Sequence, residues 1–447
     1  MGCGTRPRRS NKRSSKELMR LTQPSRTEAG LMSPSLNQTD ATHHHIFEVM
    51  QYWNEHIAPE NFPAQLPGQR MKYDPKMYIG VASILQHLLI VSLRSIQIEQ
   101  SGSDPLQDLT VCQYRGRALH GLQQLFADAD PTSTALALSA ALLAFITDFS
   151  LSQSQAWQYH LSAIREMLRC RGGFGNCFRQ FPGLRDMLVT FMSLDVVVLT
   201  FGQSTVFTQT AIDMQAEYIL LLPDLELEML KMGDLCPLVL LQAVIRTTAL
   251  RAGYSRSPAS WHEAANVLST IHDFDPDTWA NTVASLGAAR PIPPAAVVSD
   301  RTISAWSSLA QCYKSATLLY VFLPAPLGLG IGDVVQIQEA SSTLMDGIHF
   351  LFSLADSGKD VPVQAQLWKF VHWPILMSVS AASAANTSPN DVQTNLSRLA
   401  TLARVTGIRS WLDLAMKRVS LQQAQRSRVD TPTQTSKPLD RQLSISA

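Results

Sequence analysis

A stripe of apolar residues at helical spacing, Trp157, Leu161, Ile164 and Leu168 within WQYHLSAIREMLRCRGG, constrains this chain more than any other segment. Residues three and four apart share one face of an α-helix, so the stripe predicts an amphipathic helix with a buried side. The preceding run TSTALALSAALLAFITDF repeats the spacing with Leu138, Leu142, Phe145 and Phe149. Asp130-Pro131 opens that run as a cap followed by a first-turn proline, and Ser152-x-x-Gln155 has the form of a capping box for the second helix. Gly172-Gly173 stops the second helix, as a glycine pair at a helix C-terminus does. Two such helices joined by a short connection form a hairpin, and their apolar stripes require further helices to pack against.

Other segments supply them. Apolar periodicity predicts helices over Met77–Glu99, 108–126, Gly183–Phe201, about Ala211–Leu222, and Pro237–Ala252 with Gly253 as its stop. Trp261–Phe274, Ser304–Phe322, Val334–Asp356, Val363–Ala385 and Asp391–Gln425 continue the series. Pro374 is expected to kink or split its helix. Proline-rich AARPIPPAAVV at 288–298 and PAPLGLGIG at 324–332 read as breaks. Short alternating strands and repeats of 34 or 40 residues do not show. The expected fold is all-α, a large body of packed helical hairpins over 43–424. It lies between a disordered basic tail (1–42) and a second disordered tail (425–447), both polar and poor in residues to bury. The second tail carries Thr431-Pro432 and Arg441-x-x-Ser444, a short match to a kinase target.

Composition narrows the function. Of 447 residues, 45% are apolar and 16% charged, which is material for a large core. The formal net charge of +1 excludes the whole-chain field of a strongly basic nucleic-acid binder, so any DNA contact needs a local patch. One exists in RPRRSNKRSSK, where Arg6, Arg8, Arg9, Lys12, Arg13 and Lys16 suit either a nuclear-localisation signal or a phosphate-contacting arm; the alternative is a solvated basic tail. Cys3, Cys112, Cys170, Cys177, Cys236 and Cys312 are scattered without a CxxC, which favours buried thiols in a reducing compartment over a disulfide framework. The N-terminus lacks the apolar core of a secretory signal. The apolar tract Met187–Phe201 is interrupted by Ser193 and Asp195 and is short for a membrane span, so it reads as a core helix. These features together describe a soluble, intracellular chain.

The usual signatures of a catalytic site are missing: no P-loop, GxGxxG, GxSxG or HExxH occurs. Asp128 and Asp130 sit at a helix start, where carboxylates complement the dipole. The run His43-His44-His45, at the edge of a segment expected to be disordered, reads as polar linker, because a metal site needs preorganised geometry. Cys170 and Cys177 lack a second pair to complete four ligands and read as partly buried structural thiols. His160 reads as a helix-face residue bonded to a neighbouring turn, and Arg165, Arg169 and Arg171 as a solvated basic face. The expectation is therefore no catalytic residue, no cofactor and no metal ligand.

The same residues carry a resemblance. A Leu-rich helix followed by Trp157-x-x-His160-Leu161, Leu168 and the closing Arg171-Gly172-Gly173 resembles the regulatory domain of fungal zinc-cluster transcription factors, the fungal-specific transcription factor domain. Tyr313-x-x-Ala316-x-x-x-Tyr320, beginning after Cys312, is similar to a later helix of that family, Trp373-Pro374-Ile375-Leu376 to its WP segment, and Trp411 to a closing aromatic. The likeness spans about 43–420. It departs after Trp373-Pro374, where Ser378, Ala381 and Ala382 replace a glycine and an acidic residue.

Such regulators usually begin with a six-cysteine binuclear zinc cluster. Here Cys3 stands alone in that region, so the module is either lost or missing from the gene model, and zinc is expected only if a missing N-terminal cluster exists. The resemblance implies a nuclear transcriptional regulator of pathway genes, such as a secondary-metabolite cluster. It would act with transcription machinery or other regulators, and touch DNA through the basic tail or the missing module. It implies Trp157, His160, Leu161, Arg171, Gly172 and Gly173 as framework. Homodimerisation stays open, since no coiled-coil segment is evident. A helical scaffold or adaptor without DNA contact is the competing reading, and a helical enzyme with a diffuse site the third.

Overall fold

A computed structural model describes residues 36–57, 81–127, 133–151, 156–201, 208–232, 236–253, 258–288, 300–323, 328–356, 367, 369–384, 389–406, 412–417 and 419–420. Among these residues every regular element is a helix and there is no strand. In chain order they are α1 Leu36–Tyr52 with a π-turn over Trp53–Ile57, α2 Ser83–Gln100, α3 Leu109–Ala127, α4 Ser133–Leu151, α5 Ala156–Cys170, α6 Phe174–Gln180 and α7 Arg185–Phe201. They continue with α8 Gln209–Met232, α9 Leu238–Ala252, α10 Pro258–Asp273, α11 Pro276–Ala288, α12 Asp300–Phe322, α13 Val334–Asp356, α14 His372–Ala384 and α15 Pro389–Thr406.

Sequential neighbours pack as hairpins, and two helices tie the hairpins together. The first is α4. Its face of Leu138, Leu142, Phe145 and Phe149 enters the main core, while Ala140 and Ala144 on another face join Ile84 and Leu88 of α2 and Ala118 and Leu122 of α3. A helix buried on both sides has to be apolar nearly all round, which explains its Ala/Leu-rich composition. The second is α12, which packs on α9, α10, α11, α13 and α14 and buries Trp306, Leu309, Cys312, Ala316 and Tyr320. Gly347 of α13 lets that pair close up, because a Cβ there would sit 2.7 Å from Cys312 Sγ. A separate small core of Ile46, Val49 and Met50 of α1 with Ile90, Leu93 and Ile98 of α2 and Val111 and Tyr114 of α3 closes the other end.

The helix series follows the apolar periodicity, with several differences. Helices α1 and α6 were not expected, and α1 makes helix of residues 36–42, which had been assigned to the disordered tail, because its Ile46, Val49 and Met50 are buried against α2 and α3. The helix expected to end near Leu222 runs through Pro223 to Met232 as α8. Helix α11 was not predicted; Asp275-Pro276 starts it, Asp275 accepting from the Asp277 and Thr278 amides at 3.2 and 3.3 Å with proline in the first turn. Pro374 lies in the first turn of α14, where a missing N–H costs nothing, so it begins that helix rather than bending it. Of the stretch expected as one helix over Asp391–Gln425, every described residue is helical, in α15 to Thr406 and again at 412–417 and 419–420. The caps expected at Asp130-Pro131 and Ser152-x-x-Gln155, Asp128, most of the proline break at 288–298, Trp411, residues 1–35 of the first tail and residues 421–447 lie outside the described residues. No described helix is long and apolar enough to cross a membrane.

Candidate regulatory site

Helices α4 and α5 form the hairpin read from the sequence. Leu161, Ile164 and Leu168 are fully buried, and Trp157 lies edge-on to Phe149 of α4 with ring centroids 5.4 Å apart. Phe149 continues through Phe145 to Phe191 of α7, a chain of tilted and edge-to-face rings. The glycine pair closes α5 as a Schellman motif: Gly173 N–H donates to Leu168 O at 3.0 Å and Gly172 N–H to Arg169 O at 3.1 Å. Gly172 has φ +82°, and Gly173 has φ +95° with ψ 174°, a region open only to glycine. A Cβ on Gly173 would strike the Glu217 carboxylate of α8, which accepts the Gly175 N–H at 3.2 Å. Arg171 donates to the Met167 carbonyl at 2.9 Å, satisfying an orphan of the last turn.

The basic face expected from Arg165, Arg169 and Arg171 does not exist as such. Arg165 is buried, and its Nε donates to Asp195 Oδ1 of α7 at 2.9 Å. Tyr218 of α8 donates its hydroxyl to Asp195 Oδ2 at 3.0 Å, so three helices meet at one carboxylate. Burial pushes Asp195 up from the usual carboxylate value, with Arg165 and Tyr218 opposing. Burial, then the Asp195 charge, pushes Tyr218 well above the usual phenol value, so the hydroxyl keeps the proton it donates. Arg169 is the exposed member, paired with Glu166 one turn back.

His160 also differs from expectation. Its Nε2 lies 3.2 Å from Oδ2 of buried Asp148, across the hairpin rather than along its own helix, and Arg115 of α3 holds the same carboxylate through Nε at 3.1 Å. Asp148 thus ties α3, α4 and α5 together. Of the two cysteines grouped by sequence, Cys177 is buried and its thiol raised by burial, whereas Cys170 is exposed, contrary to the partly buried reading.

A second polar knot joins the later family motifs to the hairpin's partner helix. Trp373 Nε1 donates to Thr200 Oγ1 at 3.1 Å, and Trp373 lies against both Tyr313 and Tyr320. Tyr313 donates to Phe370 O at 2.9 Å, and the Tyr320 hydroxyl pairs with Thr248 Oγ1 at 2.9 Å. Arg251 lies over the Tyr320 ring and donates to the Leu199 and Thr200 carbonyls at 2.6 and 3.0 Å, capping the last turn of α7. Residues far apart in sequence, 200, 251, 320 and 373, therefore fix one helix end.

Beyond these ties lies an open apolar groove of about 280 Å³ between α8 and α9. Ile212, Ala216 and Ile219 form one wall, Ile245, Ala249 and Leu250 the other, and Arg246 faces Glu263 of α10 across the rim at 3.9 Å. At that size, just under the range of sites that enclose drug-sized ligands, it suits one or two side chains. It contains no convergent set of nucleophile, base and oxyanion donors. The sequence showed none of this beyond the helices themselves. Arg6, Arg8, Arg9, Lys12, Arg13 and Lys16 lie outside the described residues.

A family model described as the fungal specific transcription factor domain matches residues 48–410. It spans every helix of the two knots and the groove. No curated protein and no solved structure matches the chain.

Proposed function

The chain belongs to the family of the fungal-specific transcription factor domain, and from that membership we propose a nuclear regulator that controls the genes of one pathway, such as a secondary-metabolite cluster. Its general role is that of a fungal transcription regulator. The observation that carries the reading is the coincidence of the matched region, 48–410, with a body whose motif residues are all structural. Trp157, Leu161, Gly172 and Gly173 pack and terminate a helix, while His160 and Arg171 satisfy acceptors. That use of its motif residues supports a body that transmits or receives contacts.

In this reading the helical body presents the α8–α9 groove to a segment of the transcription machinery or of another regulator, and the cations from Arg6 to Lys16 supply nuclear import or phosphate contacts. Partner binding shifts the body between states only through a difference in affinity, and an open groove between two helices gives such a difference a place to act. The test is a fluorescent fusion in the fungus with residues 1–16 present or removed, combined with chromatin occupancy. Nuclear signal and promoter occupancy that fall when 1–16 is removed support the proposal. A full-length fusion that stays in the cytoplasm and occupies no promoter would replace it with the adaptor reading.

A further inference from the structure

We propose that His44, His45 and Glu48 on α1 form a binding site for a divalent first-row transition cation of the Zn²⁺ class. The sequence reading placed the histidine run in a polar linker; the structure places it inside α1, which supplies the preorganisation a linker lacks. One ligand atom from each of the three lies within 4.8 Å of the others. On a helix Glu48 falls one turn beyond His44 and, in angle, between His44 and His45. Helical side chains lean toward the N-terminus, so the Glu48 carboxylate reaches back between the two imidazoles. Two nitrogens and one carboxylate oxygen on one face make a donor set with positions left open for water or a partner's ligand.

Two of the three ligands are already oriented by neighbours from other helices. His45 Nδ1 lies 2.9 Å from the Tyr114 hydroxyl of α3, and that hydroxyl donates onward to Thr42 Oγ1 at 3.4 Å. When the Tyr114 proton goes to Thr42, the Tyr114 oxygen accepts from His45 Nδ1–H, the tautomer that leaves the other ring nitrogen with its lone pair for a cation. Glu48 Oε1 accepts from Arg94 of α2 at 3.2 Å, leaving the second carboxylate oxygen for a cation. The Arg94 charge is itself shared with Asp108 at 3.6 Å, so it does not leave the cluster net positive. A bound ion would couple α1 to α2 and α3 at the end of the molecule where the separate small core lies. His43 lies outside the set, which makes it the control.

The experiment uses the full chain without an affinity tag, titrated with Co²⁺ and followed by its visible ligand-field absorption, then displaced with Zn²⁺. The expected result is one saturable site per chain whose affinity falls at least about tenfold in His44→Ala and in Glu48→Gln, as for loss of a ligand or its support. His43→Ala should leave it unchanged. His44 and Glu48 are exposed, and far-UV circular dichroism checks that the variants remain folded. Absence of saturable binding, affinity unchanged by Glu48→Gln, or an equal loss in His43→Ala and His44→Ala would each overturn the proposal, the last by showing a histidine run that takes up an adventitious ion only.

Discussion

Removing the carboxylate at Asp195 should be among the most damaging single changes available in this fold. In Asp195→Ala the Arg165 guanidinium stays buried with its principal anion gone, and the Tyr218 hydroxyl loses its acceptor. Breaking one side of a buried ion pair typically costs about 3–5 kcal/mol, because the remaining charge is desolvated without compensation. Tyr218→Phe removes a single hydrogen bond to a charged group and should cost about 1.5–3 kcal/mol. Replacing both charges, in Arg165→Met/Asp195→Leu, removes the desolvation along with the attraction, and such exchanges range from neutral to about 4 kcal/mol stabilising, against which the Tyr218 hydroxyl left without its acceptor costs about 1–3 kcal/mol. Asp195→Ala, the one variant that leaves a buried charge without its partner, is therefore expected to be the least stable of the three. The assay is urea unfolding followed in parallel by far-UV circular dichroism and tryptophan fluorescence, with coincident transitions as the condition for reading free energies. An Asp195→Ala cost below about 1 kcal/mol, or a double variant as unstable as Asp195→Ala, would refute the argument from buried charge.

Three further outcomes follow from the same geometry. Gly173→Ala should destabilise by about 1–3 kcal/mol, since only glycine adopts its backbone conformation, and by more than Gly172→Ala, whose added Cβ meets nothing nearer than Asn176 at 3.4 Å. Equal melting temperatures for the two variants would contradict this. Trp373→Phe keeps most of the aromatic packing but removes the donor to Thr200 Oγ1, which retains its bond to the Val197 carbonyl, with an expected cost of about 1 kcal/mol; Trp373→Ala adds a cavity and should cost about 3–5 kcal/mol, so equal costs would rule out a packing role for the ring. Burial, then Arg117, lowers His87 from 6.5 to about 4. A histidine held neutral contributes stability that is present above 6.5 and is lost as pH falls toward 4, because the unfolded chain takes up the proton first. An NMR titration of His87 with its midpoint near 6.5 would remove that contribution.

The hairpin was readable because a period of 3.6 in Trp157, Leu161, Ile164 and Leu168 reports burial directly, and because Gly172-Gly173 specifies a backbone few other residues adopt. Arg165 was misread for an instructive reason. It stands one turn after Leu161, at the edge of the apolar stripe, and a cation there looks solvated until its partner is known. That partner, Asp195, had appeared only as an interruption in another apolar tract; two charges at the margins of two stripes were one buried pair. Pairings such as Trp373 with Thr200 depend on how distant helices pack, and no local period encodes them. Pro223 and Pro374 show the same limit for punctuation, since the first was absorbed within a helix and the second served to start one. The histidine run was judged by its polar neighbours, whereas burial of Ile46, Val49 and Met50 holds its helix in place.

The most direct test of the account is to tether the full chain to a reporter promoter through a heterologous DNA-binding module and to measure transcription. The account predicts that the tethered chain changes reporter output several-fold, and that Ile219→Glu, which places a charge in the α8–α9 groove, abolishes the change at unaltered protein level and fold. Reporter output that the tethered chain leaves at the level of the module alone would contradict a regulatory role for this helical body.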